Sequence, residues 1–360
     1  MDPTPAQSRR LHCSGCGAEY DVVISRTVCD CGSPLDLVSD LQPLPPSLAG
    51  RPFGLARYAE AIALTPRALE RTYLGAGMTP LLPMGGGTFV KCDFISPTGS
   101  FKDRGAAAVT AAAIELGAVE VVVDSSGNAA AALAAHAAHV GLRTTVVVPQ
   151  GAPEAKLAQA QAYGAAIVSA PGPRERAADI ALELSGRAGC YYASHAFSPF
   201  FLEGTKSWAF EVFEQLGAIP EAVLMPVGNG SLLLGVFAGF SHLVATGAAQ
   251  RLPRLVAVQS RNCAPLAGLP AHLTGHSLYT DGIAISRPVR MRSILDAIAT
   301  TGGEVLVVSD VEVQEARLSL ASAGLWVEPT AAAAWAGLPY LRGDRGPVVV
   351  NLGGAGFKRP

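Results

Sequence analysis

The sequence predicts an α/β protein, with two doubly wound parallel-sheet domains preceded by a small four-cysteine ribbon. Three observations carry this expectation. From about residue 88 onward, short Val-rich segments alternate with helical ones, the pattern of parallel strands covered on both faces. Four of the seven cysteines crowd into the first 31 residues. The 360 residues also exceed one domain of roughly 100–200 residues.

The ribbon comes first, over residues 10–37. Cys13, Cys16, Cys29 and Cys31 read C-x2-C-x12-C-x-C, a spacing that can set four thiolates at tetrahedral corners about 2.3 Å from one Zn²⁺. Gly15, Gly17 and Gly32 supply the tight turns. Four protein ligands would close the metal's shell, so the zinc would be structural. A ribbon that has lost its metal, or a redox dithiol, is the alternative.

Residues 38–88 read as a linker and N-terminal segment, loop-rich at PLPPS and helical around 54–74. An α/β domain is expected over 89–203. Its strands are 88–93, 119–124, 144–148 and 166–168, and its helices are 105–116, 128–140, 155–163 and 174–184. The second α/β domain is expected over 204–360, with parts of 38–88. Its helices are 204–216, 232–243, 310–323 and 331–341, and its strands are 222–226, 254–258, 304–308 and 347–351.

Composition excludes several classes of function. Hydrophobic residues make up 49% and charged residues only 16%, against roughly 25% charged in soluble domains, which rules out a disordered chain. With 27 basic and 29 acidic residues the net charge is −2. No basic field is present for nucleic acid and no polybasic patch for anionic lipid. The apolar stretch 231–249 is broken by His242 and three glycines; a membrane span needs about 20 uninterrupted apolar residues, so a buried helix is expected. The start, MDPTPAQSRRLHC, has no apolar h-region, and a cytoplasmic location is expected.

In α/β sheets the ligand sits at the carboxyl ends of strands, and four loops there are informative. In PTGSFKDRG (97–105), Ser100 and Asp103 form an S-x-x-D capping box that would start a helix with Lys102 in its first turn. The positive helix end there favours the neutral amine that covalent amine chemistry requires. A solvated lysine in an ordinary capped helix is the alternative. In DSSGN (124–128), small residues expose backbone N–H groups able to receive a carboxylate, and Asn128 adds an amide donor. PVGNGSL (226–232) offers a backbone cradle for a phosphate, with Ser231 as hydroxyl donor. It lacks a Walker lysine and a G-x-G-x-x-G, so nucleotide binding is not favoured. NLGGAGF (351–357) permits close backbone approach to a ligand, or a sharp terminal turn.

Taken in this order the loops resemble the fold-type II pyridoxal-phosphate enzymes, the tryptophan synthase β-like kind. More narrowly, the chain resembles threonine synthases and threonine synthase-like enzymes, cysteate synthase among them. The resemblance spans essentially the whole chain. It is carried by GMTPLL (77–82), PTGSFKDRGA (97–106), SSGN (125–128), FFLEGTKSWAFEV (200–212), PVGNGSLLLG (226–235), QSRNCAPL (259–266), DGIAISRPVR (281–290), VEPTAAAA (327–334) and the cysteine ribbon. It implies that Lys102 holds the cofactor covalently and moves protons, with Phe101 beside the cofactor. Asn128 would bond the ring hydroxyl, and Gly228, Asn229, Gly230, Ser231 and Leu232 would wrap the cofactor phosphate. Ser125, Ser126 and Gly127 would receive the substrate carboxylate. Pyridoxal 5'-phosphate and a structural Zn²⁺ are the implied cofactors, a small amino acid the substrate, and a homodimer the assembly.

Three positions depart from the family pattern. Gly353 stands where a threonine or serine hydroxyl usually faces the pyridine nitrogen, leaving water, backbone or a residue such as Asn351 to meet it. Ala129 stands for a common threonine, and Asp281 for the usual glutamate. The resemblance implies elimination and replacement on an amino acid with an activated side chain, as in conversion of O-phosphohomoserine to threonine and phosphate. β-Replacement on O-phosphoserine or a related serine ester is the alternative within the class. A non-catalytic cofactor-binding relative is the alternative outside it. Arg104, Lys156, Arg287 and Arg290 are candidates for a substrate phosphate or for structural ion pairs.

Overall fold

Two cysteine turns and three antiparallel strands build the ribbon in the computed structural model, which describes residues 9–40, 42–172, 174–269, 279–343 and 346–358. Residues 1–8, part of the stretch read above for a signal segment, lie outside the described residues. Strand Arg9–His12 is central, between Glu19–Asp21 and Asp36–Ser39. Among the described residues, the ribbon's buried cluster is Leu11, Leu35, Cys13 and Cys29. A core of that size does not hold a fold by burial alone, and metals or cross-links supply the difference in such modules.

The chain divides into two compact units, Met1–Gly77 with Lys102–Ser207, and Met78–Phe101 with Trp208–Pro360. In the first, a parallel sheet runs in the order Ala166–Ala170, Arg143–Pro149, Glu120–Val123, Cys190–Tyr192. Val121, Val122, Val146 and Val147 are buried, because helices cover both faces of such a sheet. From Glu120–Val123 the chain winds outward through the next two strands and then returns to its other side at Cys190–Tyr192. A reversal of this kind opens a crevice at the carboxyl ends of the strands. The ribbon is tied into this unit. Arg9 donates to Glu115 at 2.6 Å and to the Ala63 carbonyl at 3.1 Å, and Val28 packs against the buried cluster that includes Val122, Val147 and Ala170.

The second unit holds a six-stranded sheet in the order Glu304–Val308, Arg254–Ser260, Ala222–Pro226, Val348–Asn351, Thr88–Lys91, Leu81–Gly85. Only Leu81–Gly85 runs antiparallel. Its reversal point lies between the neighbours Ala222–Pro226 and Val348–Asn351. Ala331 to Ala334, on helix Pro329–Gly337, share one buried cluster with Leu224, Val256 and Val350; four small side chains in succession let helix and sheet approach closely. The apolar stretch 231–249 forms the buried helix Ser231–Ala245, and among the described residues no helix is long and apolar enough to cross a membrane.

Several elements differ from expectation. The strand Thr88–Lys91, expected beside the lysine-bearing sheet, instead pairs in parallel with Val348–Asn351. Lys91 is buried there, bonded to Glu211 at 2.8 Å and to the Thr79 carbonyl at 2.7 Å. The helical stretch over 54–74 is a 3-10 segment, Leu55–Ala61, and a short helix, Pro66–Arg71, capped by the Thr65 hydroxyl. Cys190–Tyr192, Leu81–Gly85 and helix Met291–Thr300 were not expected.

Candidate active site

Lys102 opens helix Lys102–Glu115. It is half-buried, with Nζ 5.5 Å from the centroid of the Phe201 ring. The expected Ser100–Asp103 capping box does not form. Ser100 Oγ is buried without a hydrogen-bond partner, because its backbone is engaged in a bridge with Gly354. Asp103 turns instead to His136, whose Nε2 lies 3.2 Å from Oδ1, while Nδ1 lies 3.0 Å from the Thr72 carbonyl oxygen. Both partners are fully buried. Each ring nitrogen thus has an oxygen within hydrogen-bond distance. This bonded pair anchors the turn that carries Lys102.

Gly105 and Gly204 bring two helices together within the same unit. A Cβ at Gly105 would overlap the Phe201 ring, and one at Gly204 would overlap the backbone oxygen of Arg104. Arg104 is fully buried and donates to Ser207 Oγ at 3.0 Å. It is a structural cation.

The Ser125–Ser126–Gly127 loop leaves the carboxyl end of Glu120–Val123 at the reversal point and runs into helix Asn128–Val140. Ser125 Oγ accepts from the Gly127 N–H at 3.3 Å. Gly127 precedes the helix without a side-chain cap, and the positive end of the helix dipole there favours an anion. A Cβ on Gly127 would meet nothing within 4 Å. Asp124 accepts from the Tyr192 hydroxyl at 2.9 Å, and burial pushes that phenol's pKa up.

In the second unit the Gly228–Leu232 loop and the Gly353 turn leave neighbouring parallel strands at their carboxyl ends. The N–H groups of Gly228, Gly230 and Leu232 make no backbone hydrogen bond among the described residues, and all three residues are buried. Buried donors without partners are costly, and a phosphate would satisfy them at the start of helix Ser231–Ala245. Gly230 has φ +75°, and a Cβ there would overlap Ile294; at Gly228 a Cβ would sit 3.1 Å from Ile283 Cα. Replacing Gly230 by alanine is therefore expected to cost about 1–3 kcal/mol of stability and to weaken retention of a phosphate-bearing cofactor. Denaturant unfolding and cofactor content after dialysis measure the two effects.

The Gly353 turn is stitched to the segment before Lys102. Phe101 N–H donates to the Gly353 carbonyl at 2.9 Å, and Ala355 N–H to the Gly99 carbonyl at 2.9 Å. Gly353 does not have a positive φ. What limits it is space, since a Cβ would lie 3.0 Å from Phe101 Cδ1 and 3.0 Å from Asn351 Nδ2.

In the ribbon, Cys13, Cys16, Cys29 and Cys31 place their sulfurs within 4.8 Å of one another. Cys13–Cys31 and Cys16–Cys29 are 3.6 and 3.5 Å apart, close to the roughly 3.8 Å between sulfurs of a tetrahedral Zn–S site. The Ser33 hydroxyl and backbone pull Cys31 down to about 6, and the Tyr20 hydroxyl lowers Cys29. Both favour the thiolate that binds metal. This donor set can hold one zinc ion with no open position.

The sequence contains five lysines. Lys91 is paired with Glu211 and Lys206 with Glu203, while Lys156 is exposed in helix Glu154–Ala162 and Lys358 lies near the C-terminus. Lys102 alone stands on a helix start next to an aromatic ring, in the same unit as the Ser125–Gly127 loop. Three other contributors, Phe201, His136 and Trp208, were not singled out in the sequence, because their contacts depend on partners elsewhere along the chain.

Parallel sheets with glycine-rich loops at the reversal points of their strand order fit a class of cofactor-dependent α/β enzymes, and residues 72–354 match the model of the pyridoxal-phosphate dependent enzyme family. The chain belongs to that family. It is 33% identical to the threonine synthase of Methanocaldococcus jannaschii over 353 residues, covering 91% of this chain and 86% of the relative. It is 35% identical to the threonine synthase of Synechocystis sp. over 300 residues, covering 79% and 78%. Among solved structures, the fold is shared with a pyridoxal 5'-phosphate-dependent aspartate racemase (TM-score 0.67, 23% identity, 80% and 93% covered) and with the serine racemase of maize (TM-score 0.66, 22% identity, 81% and 92% covered).

Proposed function

We propose that this enzyme eliminates phosphate from the side chain of O-phosphohomoserine and adds water to give threonine. The likeness to threonine synthases along 91% of the chain carries this proposal. The bound cofactor supplies an electron sink for charge developing on the substrate. Lys102 would hold the cofactor, and its Nζ would take and return protons at the α- and β-carbons of the substrate. Ser125, Ser126 and Gly127 receive the substrate carboxylate. Asn128 bonds the cofactor's ring hydroxyl, while Gly228, Asn229, Gly230, Ser231 and Leu232 hold its phosphate. Phe101 packs beside the ring near Gly353. The ribbon carries a structural zinc through Cys13, Cys16, Cys29 and Cys31. A homodimer in the cytoplasm belongs to the same proposal.

One observation favours a second reading. Gly353 removes the hydroxyl usual at that position, and β-replacement on O-phosphoserine needs fewer proton shifts and a less demanding electron sink. The discriminating experiment incubates the loaded enzyme with each phospho-amino acid, measures phosphate release and identifies the product. Threonine from O-phosphohomoserine, at a rate at least about tenfold above that of O-phosphoserine turnover, is expected. The reverse preference supports β-replacement, and turnover of neither supports a non-catalytic relative.

A further inference from the structure

Asn351 ends the strand Val348–Asn351 and is 1% exposed. Its Oδ1 accepts from Trp208 Nε1 at 2.9 Å. The indole N–H can only donate, so the amide oxygen must face it, and the orientation of the carboxamide is settled by chemistry. Nδ2 is then the other end, and it is buried without a hydrogen-bond partner. An amide donor in that condition is costly unless something absent from the protein chain accepts from it.

The position of that donor is informative. Nδ2 stands 3.0 Å from where a Cβ on Gly353 would be, within the space that a side chain at 353 would occupy. Phe101 borders the same space, with Cδ1 also 3.0 Å from that Cβ. Gly353 and Asn351 are thus coupled. The glycine leaves room for the amide, and the amide brings a donor to the place vacated by the missing hydroxyl.

We propose that Asn351 Nδ2 is the hydrogen-bond donor to the cofactor's ring nitrogen, in place of a hydroxyl at residue 353. The proposal rests on the cofactor assignment and not on which substrate is used. It has a chemical consequence that a hydroxyl would not impose. A hydroxyl can donate or accept, whereas an amide NH2 can only donate. The ring nitrogen must therefore offer its lone pair and remain unprotonated, which weakens its pull on electrons at the substrate carbons. Trp208, by holding Oδ1, is the positioning residue that aims the donor.

The test uses the loaded enzyme with cofactor labelled with ¹⁵N at the ring nitrogen, read by its ¹⁵N resonance and not by activity. In the wild type the resonance is expected in the unprotonated range across neutral pH. Asn351→Asp keeps an oxygen for Trp208 at nearly the same size, but replaces the donor with a carboxylate. Its resonance is expected to move to the pyridinium range, with a shifted visible absorbance. A pyridinium resonance in the wild type, or an Asn351→Asp resonance equal to the wild type's, overturns the proposal. The wild-type measurement decides against it alone if the variant fails to fold. Failure of the wild-type protein to load any cofactor overturns the assignment beneath it, an outcome distinct from both.

Discussion

Replacing Lys102 by alanine is expected to remove the visible absorbance of the bound cofactor and to lower turnover by about three orders of magnitude or more. The expectation follows from the lysine inventory as much as from the loop. Two of the other four lysines are held in ion pairs, and none of the four opens a helix at the mouth of a sheet. The variant is expected to fold, because the anchoring contacts of that turn belong to its neighbours, Asp103 with His136 and Arg104 with Ser207. Absorbance spectra, circular dichroism and phosphate release measure the three quantities. A folded Lys102→Ala protein with wild-type turnover would exclude the lysine from the chemistry.

The second large effect concerns the ribbon. Structural zinc in small modules binds with apparent energies of about 10–16 kcal/mol, and the ribbon's own apolar core is four residues. Cys16→Ser removes one of the four thiolates and is expected to cost at least about 3 kcal/mol, lowering Tm by about 6–12 °C. Elemental analysis is expected to find one zinc per chain in the wild type and a deficit in the variant. Turnover per folded molecule at low temperature is expected to stay unchanged, since a closed shell offers no position for substrate. No zinc in protein purified without chelators, or an unaltered Tm in the variant, would count against a structural metal.

Much of this architecture was legible in the sequence because its strands are buried on both faces. Glu120–Val123 and Ala222–Pro226 are near-continuous apolar runs closed by small-residue loops, a pattern that few other structures produce. The missed elements lack that signature. Leu81–Gly85 contains Pro83 and an irregular register, tolerable only at a sheet edge. Cys190–Tyr192 is three residues long, too short for a period. Met291–Thr300 buries Ile294, Ala297 and Ile298 on one face, a helical spacing that was visible but came without a capping residue to mark its start.

The candidate site divides in the same way. Loops whose function resides in backbone geometry, SSGN and GNGSL, announce themselves through glycine and serine. The Ser100–Asp103 capping box misled, because the rule for helix starts knows nothing of the bridge from Ser100 to Gly354. The orientation of Asn351 could not be read from the sequence either, since it is set by Trp208, 143 residues away. Gly353 is conspicuous as a departure, yet its meaning depends on the amide beside it.

Among the five lysines, Lys102 is the one expected to hold pyridoxal phosphate. Reducing the loaded protein with borohydride, digesting it and mapping the modified peptide by mass spectrometry tests that expectation most directly. The predicted result is one phosphopyridoxyl group per chain, on Lys102 within the segment TGSFKDRG. Modification at Lys91, Lys156, Lys206 or Lys358 instead, or no fixed cofactor in protein that has retained its colour, would contradict it.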